Sequence, residues 1–382
     1  MTVTSVSDEV AQQADESGLL TIGVEEEYLL VDGQEPHAVP AVEEVFDQLP
    51  GQLREQVQHE YLRTQIEVAS APGLDLRDLW GSLRQLRTEL SCAAERAGVR
   101  LVAVGASPIA GGDADVSDKP RYHRMAERFG RLSPGQGSNG MHIHVGIADP
   151  ELGVQVLNHL RPWLPVLQAA TANSPFCDGV DTRYASWRTI MWERWPTVGP
   201  APFLESAEHY RTLLEDLITS GTMLDEGMLY WYARLSANYP TVEIRIGDVC
   251  PTLDDTMLVA ALARALAATV LRDVRAGVPA PRPEGALLSA AHWRAARDGL
   301  EGSGLDLGTR QLRPAWHLLR RLFDHVRPEL ERHGDLEIAT VLLGRLRARG
   351  TGAARQRAVH AQRGDLRAVV DYLAEQTRAH AG

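Results

Sequence analysis

Residues 21–32 read TIGVEEEYLLVD, an apolar segment of strand-like composition that three consecutive glutamates interrupt. Glutamate has a low preference for strands, and like charges on one strand repel each other. Because strand side chains alternate between two faces, Glu25 and Glu27 share one face, whereas Glu26 interrupts the apolar one. Because these carboxylates are unfavourable in a strand, we expect them to have a function.

The same alternation recurs in three later segments, each with one apolar face and one face that carries Glu, His or Arg. We expect all four segments to join one sheet, with helices against its apolar side and a charged surface on the other. The segments are TQIEVAS (64–70), with Glu67; GMHIHVGI (140–147), with His142 and His144 on one face; and PTVEIRIGD (240–248), with Glu243 and Arg245 on one face.

Composition narrows the class of protein. The chain has 382 residues and a formal net charge of −12, without a concentrated basic patch, which argues against nucleic-acid binding. Its three cysteines form no CxxC pair and suit a reducing compartment as buried thiols. No apolar run reaches the roughly 20 residues of a membrane span. The polar segment 1–19 is unlike a signal peptide, so we expect a disordered acidic lead-in and a cytoplasmic location.

The order of predicted elements favours the α+β class, because strands and helices alternate without a regular βαβ repeat. From about residue 284 the sequence is helical, and we expect residues 20–382 to form a single catalytic domain. Predicted strands are 20–31, 64–70, 99–105, 140–147 and 241–247, and predicted helices are 74–97, 150–172, 206–219 and 254–276.

Crowded carboxylates beside imidazoles point to a divalent cation. Any one strand could instead be the polar side of a half-solvated sheet, but acids and histidines dominate all four. Mg²⁺ suits such ligands and Mn²⁺ is the alternative, whereas zinc fits less well because the chain lacks HExxH and carboxylates outnumber imidazoles. Such ions most often clamp a nucleoside triphosphate, although no GxxxxGK[ST] motif is present.

Several motifs, in this order, resemble the glutamate–cysteine ligase type 2 family of carboxylate–amine ligases. They are GVEEEYLLVD (23–32), GMHIHVGI (140–147), ANSPFCDGVDTRYASWR (172–188), PTVEIRIGD (240–248), HWRAARDGL (292–300) and GTGAARQRA (350–358). The resemblance implies the fold of the glutamine synthetase and guanidino-kinase superfamily, a curved, mostly antiparallel sheet with helices behind it. It also implies a reaction in which ATP converts a carboxylate, usually that of glutamate, into an acyl phosphate that an amine attacks.

The resemblance further implies roles for individual residues. Arg245 should contact phosphate, and Arg234 resembles the arginine that addresses the substrate carboxylate, although an ion pair with a nearby acid is an equal alternative for Arg234. Implied metal ligands are Glu25, Glu27, Glu60, Glu67, His142 and Glu243; implied catalytic residues are Glu67, Arg234 and Arg245; His144 and Arg245 should bind ATP. The loop at 173–188 should bind the substrate through Asn173, Arg183, Tyr184, Ser186 and Arg188, with Arg188 best suited to a carboxylate.

Two departures from the family pattern affect substrate choice rather than ATP chemistry. GASP (105–108) stands where relatives often have a histidine at the position of Ser107, and Arg183 replaces a common glycine. We therefore expect ATP-dependent joining of a small-molecule carboxylate, with glutamate and cysteine as the default pair and another amine as an alternative. A metal-dependent amide hydrolase and a non-catalytic ATP-binding or amino-acid-binding relative are the other readings. By analogy alone, the protein could form a homodimer.

Overall fold

The computed structural model describes residues 10, 13, 14, 16–111, 115–132 and 137–378, so most of the predicted lead-in lies outside the described residues. A seven-stranded antiparallel sheet lies at the centre. Its strands are β1 (Ile22–Asp32), β2 (Val57–His59), β3 (Gln65–Ala69), β4 (Val99–Val102), β5 (Gly140–Gly146), β8 (Ala233–Leu235) and β9 (Thr241–Asp248). Two separate hairpins pair β6 (Phe176–Cys177) with β7 (Val180–Asp181) and β10 (Ser303–Asp306) with β11 (Gln311–Pro314).

Helices from residue 42 onward surround this sheet. They are α1 (Val42–Asp47), α2 (Leu76–Arg96), α3 (Pro120–Phe129), α4 (Pro150–Leu160), α5 (Leu164–Ala170), α6 (Trp187–Trp192), α7 (Ala207–Thr219), α8 (Leu253–Arg275), α9 (Gly285–Asp298), α10 (Ala315–Arg332), α11 (Leu336–Arg349), α12 (Gly352–Arg363) and α13 (Leu366–Thr377). None of the described helices is both long and apolar enough to cross a lipid bilayer.

The strand order β2–β3–β1–β5–β9–β8 places β1 near the middle of the sheet. Along one edge, the first residues of this eleven-residue strand pair with β5 and its last residues pair with β4. Along the other edge it pairs with β3. The four segments with polar faces are therefore neighbours, because β3, β1, β5 and β9 are consecutive in the sheet. The prediction that they share one sheet is confirmed.

Helices cover the apolar face of the sheet. Ile22, Val24 and Tyr28 of β1 are almost completely buried, as are the alternate residues of β3, β5 and β9. The Ala/Leu-rich helix α8 packs against β1 and β5 on one side and against α10 and α11 on the other, so most of its residues are buried. A helix that is apolar around most of its circumference can be accommodated only in such an interior position.

Glu26, which interrupts this apolar face, is neutralised inside the core. Its carboxylate accepts hydrogen bonds from Arg87 of α2 (2.8 Å from Nε), from Thr256 of α8 (2.7 Å) and from Tyr28 (2.5 Å). The side chains of Glu26 and Arg87 are both fully buried. The middle glutamate of the triplet therefore joins the sheet to two helices, and only its two neighbours face the opposite side.

The predicted strands and helices are largely confirmed, although helices α1 and α3 and the short strands β6 and β7 were not predicted. Three further differences remain. The predicted helix 150–172 is two helices, because Pro162 and Pro165 interrupt the backbone hydrogen bonding between α4 and α5. The three-residue strands β2 and β8 were not predicted. The helical region after residue 284 also contains the β10–β11 hairpin.

Candidate active site

The polar face of the sheet carries a continuous row of charged side chains whose neighbours are set by strand register. Glu27 lies opposite Glu67, and Glu25 lies opposite His142. Farther along the sheet, His144 lies opposite Glu243, which in turn lies opposite Arg234 of β8. Directly opposite side chains in a sheet approach within contact distance, so the register alone gathers these groups.

Glu25 is the centre of the cluster. One of its carboxylate oxygens is 3.0 Å from Nδ1 of His142, and the other is 3.4 Å from Nε2 of His144. Nε2 of His142 is 3.6 Å from a Glu27 oxygen, and Nδ1 is 3.9 Å from a Glu243 oxygen. The side chains are mostly buried, which corrects the prediction of an open charged surface: the cluster forms the floor of a cavity.

The acids in this cluster have displaced pKa values. Burial and the neighbouring carboxylates of Glu25 and Glu60 raise the pKa of Glu67 well above its ordinary value. Burial also raises the pKa of Glu27, although His142 partly offsets it. Burial would raise the pKa of Glu25 as well, but the adjacent imidazoles of His142 and His144 hold it well below its usual range. The floor is therefore short of positive charge around Glu67 and Glu27.

The donor set fits divalent cations. Two groups bring one ligand atom each to within 4.8 Å of one another, Glu25 with Glu67 and His142, and Glu25 with His144 and Glu243. Nε2 of both histidines is buried without a hydrogen-bond partner among the described residues. A cation at either position would relieve the repulsion between carboxylates and give these nitrogens a ligand role. Glu60 also lines the cavity, so all six predicted metal ligands face the same space.

Arginines lie beside the acidic floor on β8 and β9. Glu243 accepts hydrogen bonds from Arg245 and, at 2.8 Å, from Nε of Arg234. Burial alone would raise the pKa of Glu243, but Arg245 and Arg234 lower it to about 2. The ion-pair alternative for Arg234 is thus present, and Arg234 also lines the cavity, so the pair does not remove it from the site.

Arg188 of α6 forms part of the same wall. It is only 2% exposed, its guanidinium carbon lies 4.8 Å from the Trp192 ring centroid, and its Nε has no hydrogen-bond partner among the described residues. Gly140 of β5 lies directly beneath it and donates its N–H to Glu27. A Cβ atom at position 140 would lie 2.9 Å from the guanidinium carbon, so glycine is required for this approach.

We expect Gly140→Ala to displace Arg188 and lower kcat/KM by roughly 10- to 100-fold, because displacements of about 1 Å at a reacting centre can cost that much. Steady-state kinetics measure the loss, and a thermal melt checks folding. Gly81→Ala, within α2 where a Cβ would meet nothing within 4 Å, is the matched control. Wild-type activity in Gly140→Ala would show that the position of Arg188 does not matter for turnover.

These groups line one cavity of about 630 Å³ between the sheet and the segments above it. Its acidic floor faces aromatic walls, and the volume suits a nucleotide together with small substrates. The aromatic wall residues are Tyr61, Tyr122, Trp192, Trp195, Tyr230 and Tyr239. Cys177 lies outside it, and burial raises the pKa of its thiol to about 12, in agreement with a structural thiol.

Four residues of the predicted substrate loop lie outside the cavity lining: Asn173, Arg183, Tyr184 and Ser186. Asn173 and Ser186 bind the buried carboxylate of Asp248. The backbone N–H of Asn173 donates to it at 2.9 Å and the hydroxyl of Ser186 donates at 2.7 Å. Ser186 also caps the N-terminus of α6. The loop therefore fixes the helix that carries Arg188, the one predicted loop residue that lines the cavity.

Tyr184 and Arg183 have separate surroundings. Tyr184 packs against Trp187 and Trp293. Arg183 has a positive φ of 65° on an exposed turn, a conformation that glycine adopts more readily than residues with a side chain. Its carbonyl accepts a hydrogen bond from Arg297. The replacement of glycine is thus a surface change rather than an added charge in the cavity.

Sequence reasoning missed the far wall of the cavity. Arg121 and Met125 of α3 contribute to it, as does the turn at Asp225, Glu226 and Gly227. Neither segment shows the alternation of polar and apolar residues along a strand, which is the pattern that predicted the residues of the floor. The amphipathic pattern of α3 gave no indication that its polar side faces a cavity rather than solvent.

Comparisons with known proteins agree with this geometry. The sequence profile of "Glutamate-cysteine ligase family 2" matches residues 21–372. A relative from Salinispora arenicola, named "Putative glutamate--cysteine ligase 2", is 54% identical over 360 residues that cover 94% of this chain and 95% of the relative. A relative from Saccharopolyspora erythraea, named "Putative glutamate--cysteine ligase 2-1", is 45% identical over 359 residues with the same shares covered.

Two solved structures share the fold. The glutamate–cysteine ligase of Francisella tularensis, in complex with AMP, superimposes with a TM-score of 0.67 at 14% identity, over 95% of this chain and 90% of that one. A bifunctional glutathione synthetase from Pasteurella multocida gives a TM-score of 0.68 at 16% identity, over 97% of this chain and 53% of that one. The predicted fold class is confirmed.

The sheet and the family match together define an ATP-dependent ligase that joins a carboxylate to an amine through a carbon–nitrogen bond. The chain belongs to glutamate–cysteine ligase family 2.

Proposed function

We propose that the protein joins the γ-carboxylate of glutamate to the amino group of cysteine, with an acyl phosphate as the intermediate. The observation that supports this most strongly is the close contact of two opposite charge sets in one cavity. An acid–imidazole floor centred on Glu25 adjoins the guanidinium groups of Arg188, Arg234 and Arg245. A Mg·triphosphate needs both, the acids for its cations and the arginines for its phosphates.

The acids and histidines of the floor would hold Mg²⁺ in two groups that share Glu25. Magnesium held by these residues would supply positive charge to neutralise the triphosphate and the transferring phosphoryl group. The shared ligand keeps the two positions adjacent, as the clamping of a single phosphate chain requires. Mn²⁺ suits the same ligands, since each group includes an imidazole.

The arginines would stabilise charge on the phosphoryl group in transfer. Arg245 lies 5.6 Å from the Trp192 ring centroid and 5.8 Å from that of Tyr230, and its Nε has no hydrogen-bond partner among the described residues. The buried Trp192 and the partly buried Tyr230 pack against the guanidinium and limit its contact with water. Arg245 and Arg188 therefore present fixed donors that need no reorganisation as charge develops.

The reaction proceeds in two displacements. An oxygen of the glutamate γ-carboxylate attacks the terminal phosphorus of ATP, the bond from that phosphorus to the ADP oxygen breaks, and an acyl phosphate forms. The neutral amine of cysteine then attacks the acyl carbon, inorganic phosphate leaves, and the nitrogen loses a proton. The aromatic walls protect the acyl phosphate from water between these steps.

The test is ADP release by the purified protein with Mg·ATP and glutamate, against a panel of amines that includes cysteine, with mass spectrometry of the products. We expect cysteine-dependent ADP formation and a product one water lighter than its two substrates together. ADP formation only with a different amine would support the ligase reaction and identify that amine, instead of cysteine, as the substrate. Loss of an added γ-glutamyl amide, without any ADP, would instead identify a hydrolase.

A further inference from the structure

Arg121 of α3 and Asp225 form an ion pair on the far wall of the cavity, and neither is among the predicted site residues. Nε and Nη2 of the arginine donate to the two oxygens of the aspartate at 2.7 and 2.8 Å. About a third of each side chain remains exposed, at 35% and 36%, and both line the cavity. The third guanidinium nitrogen, Nη1, lies 3.4 Å from the Met125 sulfur, which is a weak acceptor.

The pair lies in a space made by a glycine. A Cβ atom at Gly227 would lie 2.9 Å from Nη2 of Arg121 and 3.1 Å from an oxygen of Asp225. The carbonyl of Gly227 accepts a hydrogen bond from Arg234 at 3.2 Å, and Arg234 in turn bonds Glu243. A chain of direct contacts thus connects the pair to the acid–imidazole floor.

We propose that Arg121 and Asp225 bind the α-carboxylate and α-ammonium groups of the acid substrate. A zwitterionic head group carries one charge of each sign, and this wall offers one fixed partner for each. Asp225 occupies the Nε–Nη2 side of Arg121, which leaves the Nη1–Nη2 side, next to the Met125 sulfur, for a substrate carboxylate. A phosphate chain is disfavoured here, because the carboxylates of Asp225 and its neighbour Glu226 both line this wall and would repel it.

The chemistry of amide formation assigns this wall to the acid rather than to the amine. The attacking amine must be neutral and must reach the acyl carbon, so its nitrogen cannot remain bound as an ammonium group beside Asp225. The acid substrate keeps both head-group charges throughout the reaction while its side-chain carboxylate reacts at the floor. This assignment rests on the proposed function, because it requires an amino acid with a second, reacting carboxylate.

The test compares Arg121→Met and Asp225→Asn with the wild type, using glutamate, 4-aminobutyrate, which lacks the α-carboxylate, and glutarate, which lacks the α-amino group. We expect Arg121→Met to lower kcat/KM for glutamate roughly 10- to 100-fold, mainly through KM, since a charge-assisted hydrogen-bond pair has about that value. The same variant should change kcat/KM for 4-aminobutyrate by less than about twofold. Asp225→Asn should likewise lower kcat/KM for glutamate and leave kcat/KM for glutarate nearly unchanged. Neither variant should change KM for ATP.

Arg128→Met is the matched control. Arg128 lies on the same helix and bonds the carbonyl of Gly221 at 2.8 Å, so it also ties α3 to the segment before Asp225. If Arg128→Met reproduces the loss, or if Arg121→Met affects glutamate and 4-aminobutyrate alike, the pair is a structural tether and the proposal fails.

Calorimetric binding of glutamate and 4-aminobutyrate, with Mg²⁺ and a non-hydrolysable ATP analogue present, gives a readout without turnover. Wild-type protein that forms no ADP but binds glutamate in an Arg121-dependent way would overturn the proposed reaction and support the subsite. If the wild type forms ADP with glutamate but Arg121→Met binds glutamate normally, the proposed reaction is supported and the subsite is overturned. Wild-type protein that binds no glutamate would overturn the subsite.

Discussion

Glu25→Gln is expected to lower kcat by on the order of 10³-fold, because it removes the one carboxylate shared by both proposed cation positions. The amide keeps the size of the side chain and can still hydrogen-bond His142 and His144. Folding should be preserved, since the loss of one negative charge relieves the repulsion that raises the pKa of Glu67. Steady-state kinetics over a range of Mg²⁺ concentrations measure the effect.

A thermal melt separates loss of the cation from loss of the fold. Addition of Mg²⁺ should raise the melting temperature of the wild type, because a ligand that binds only the folded state stabilises it. The rise should be smaller or absent in Glu25→Gln. Glu208→Gln, on the exposed surface of α7, is the matched control and should behave as wild type. Near-wild-type turnover of Glu25→Gln, with an unchanged response to Mg²⁺, would refute the assignment of the floor as a cation site.

Arg87→Met is expected to destabilise the protein by about 3–5 kcal/mol, because it leaves the carboxylate of Glu26 buried without its cation. Both side chains of this pair are fully buried between β1 and α2, and Tyr28 and Thr256 supply the remaining hydrogen bonds to Glu26. The shift in the midpoint of urea unfolding, followed by circular dichroism, measures the loss.

The double variant Glu26→Met with Arg87→Met distinguishes the cost of an unpaired charge from the value of the pair. Replacement of a buried ion pair by apolar residues of similar volume is often close to neutral. We therefore expect the double variant to recover most of the stability that Arg87→Met loses. A double variant as unstable as the single one would show that the two side chains are needed for other contacts. A single variant of wild-type stability would contradict the account of Glu26.

The floor of the site was predictable from sequence because strand geometry is periodic. Alternation assigned Glu25, Glu67 and His142 to one face, and antiparallel pairing then brought them together without further information. Resemblance to the family supplied the mostly antiparallel sheet with helices behind it, and the reaction. The same alternation could not show that α3 and the 225–227 turn form a wall beside this face, so it predicted an open surface instead of a cavity.

The parts that sequence did not predict depend on tertiary contacts. Asn173 and Ser186 have the hydrogen-bonding groups of a substrate loop, but those groups are directed to Asp248, which lies more than sixty positions later than Ser186 in the chain. Glu26 is indistinguishable by residue type from its neighbours, and only its buried partner Arg87 separates it from the floor. Side-chain identity gives the available chemistry, whereas the packing of distant segments decides which partner uses it.

The most direct test of the proposed acyl-phosphate mechanism is transfer of isotope from substrate to phosphate. Glutamate labelled with oxygen-18 in its γ-carboxylate would be supplied with Mg·ATP and the amine that gives turnover, and the released phosphate would be analysed by mass spectrometry. We expect one labelled oxygen in each phosphate, because the carboxylate oxygen that attacks phosphorus remains with it when the amine displaces phosphate. Amide product accompanied by unlabelled phosphate would contradict activation of the carboxylate by ATP in this cavity.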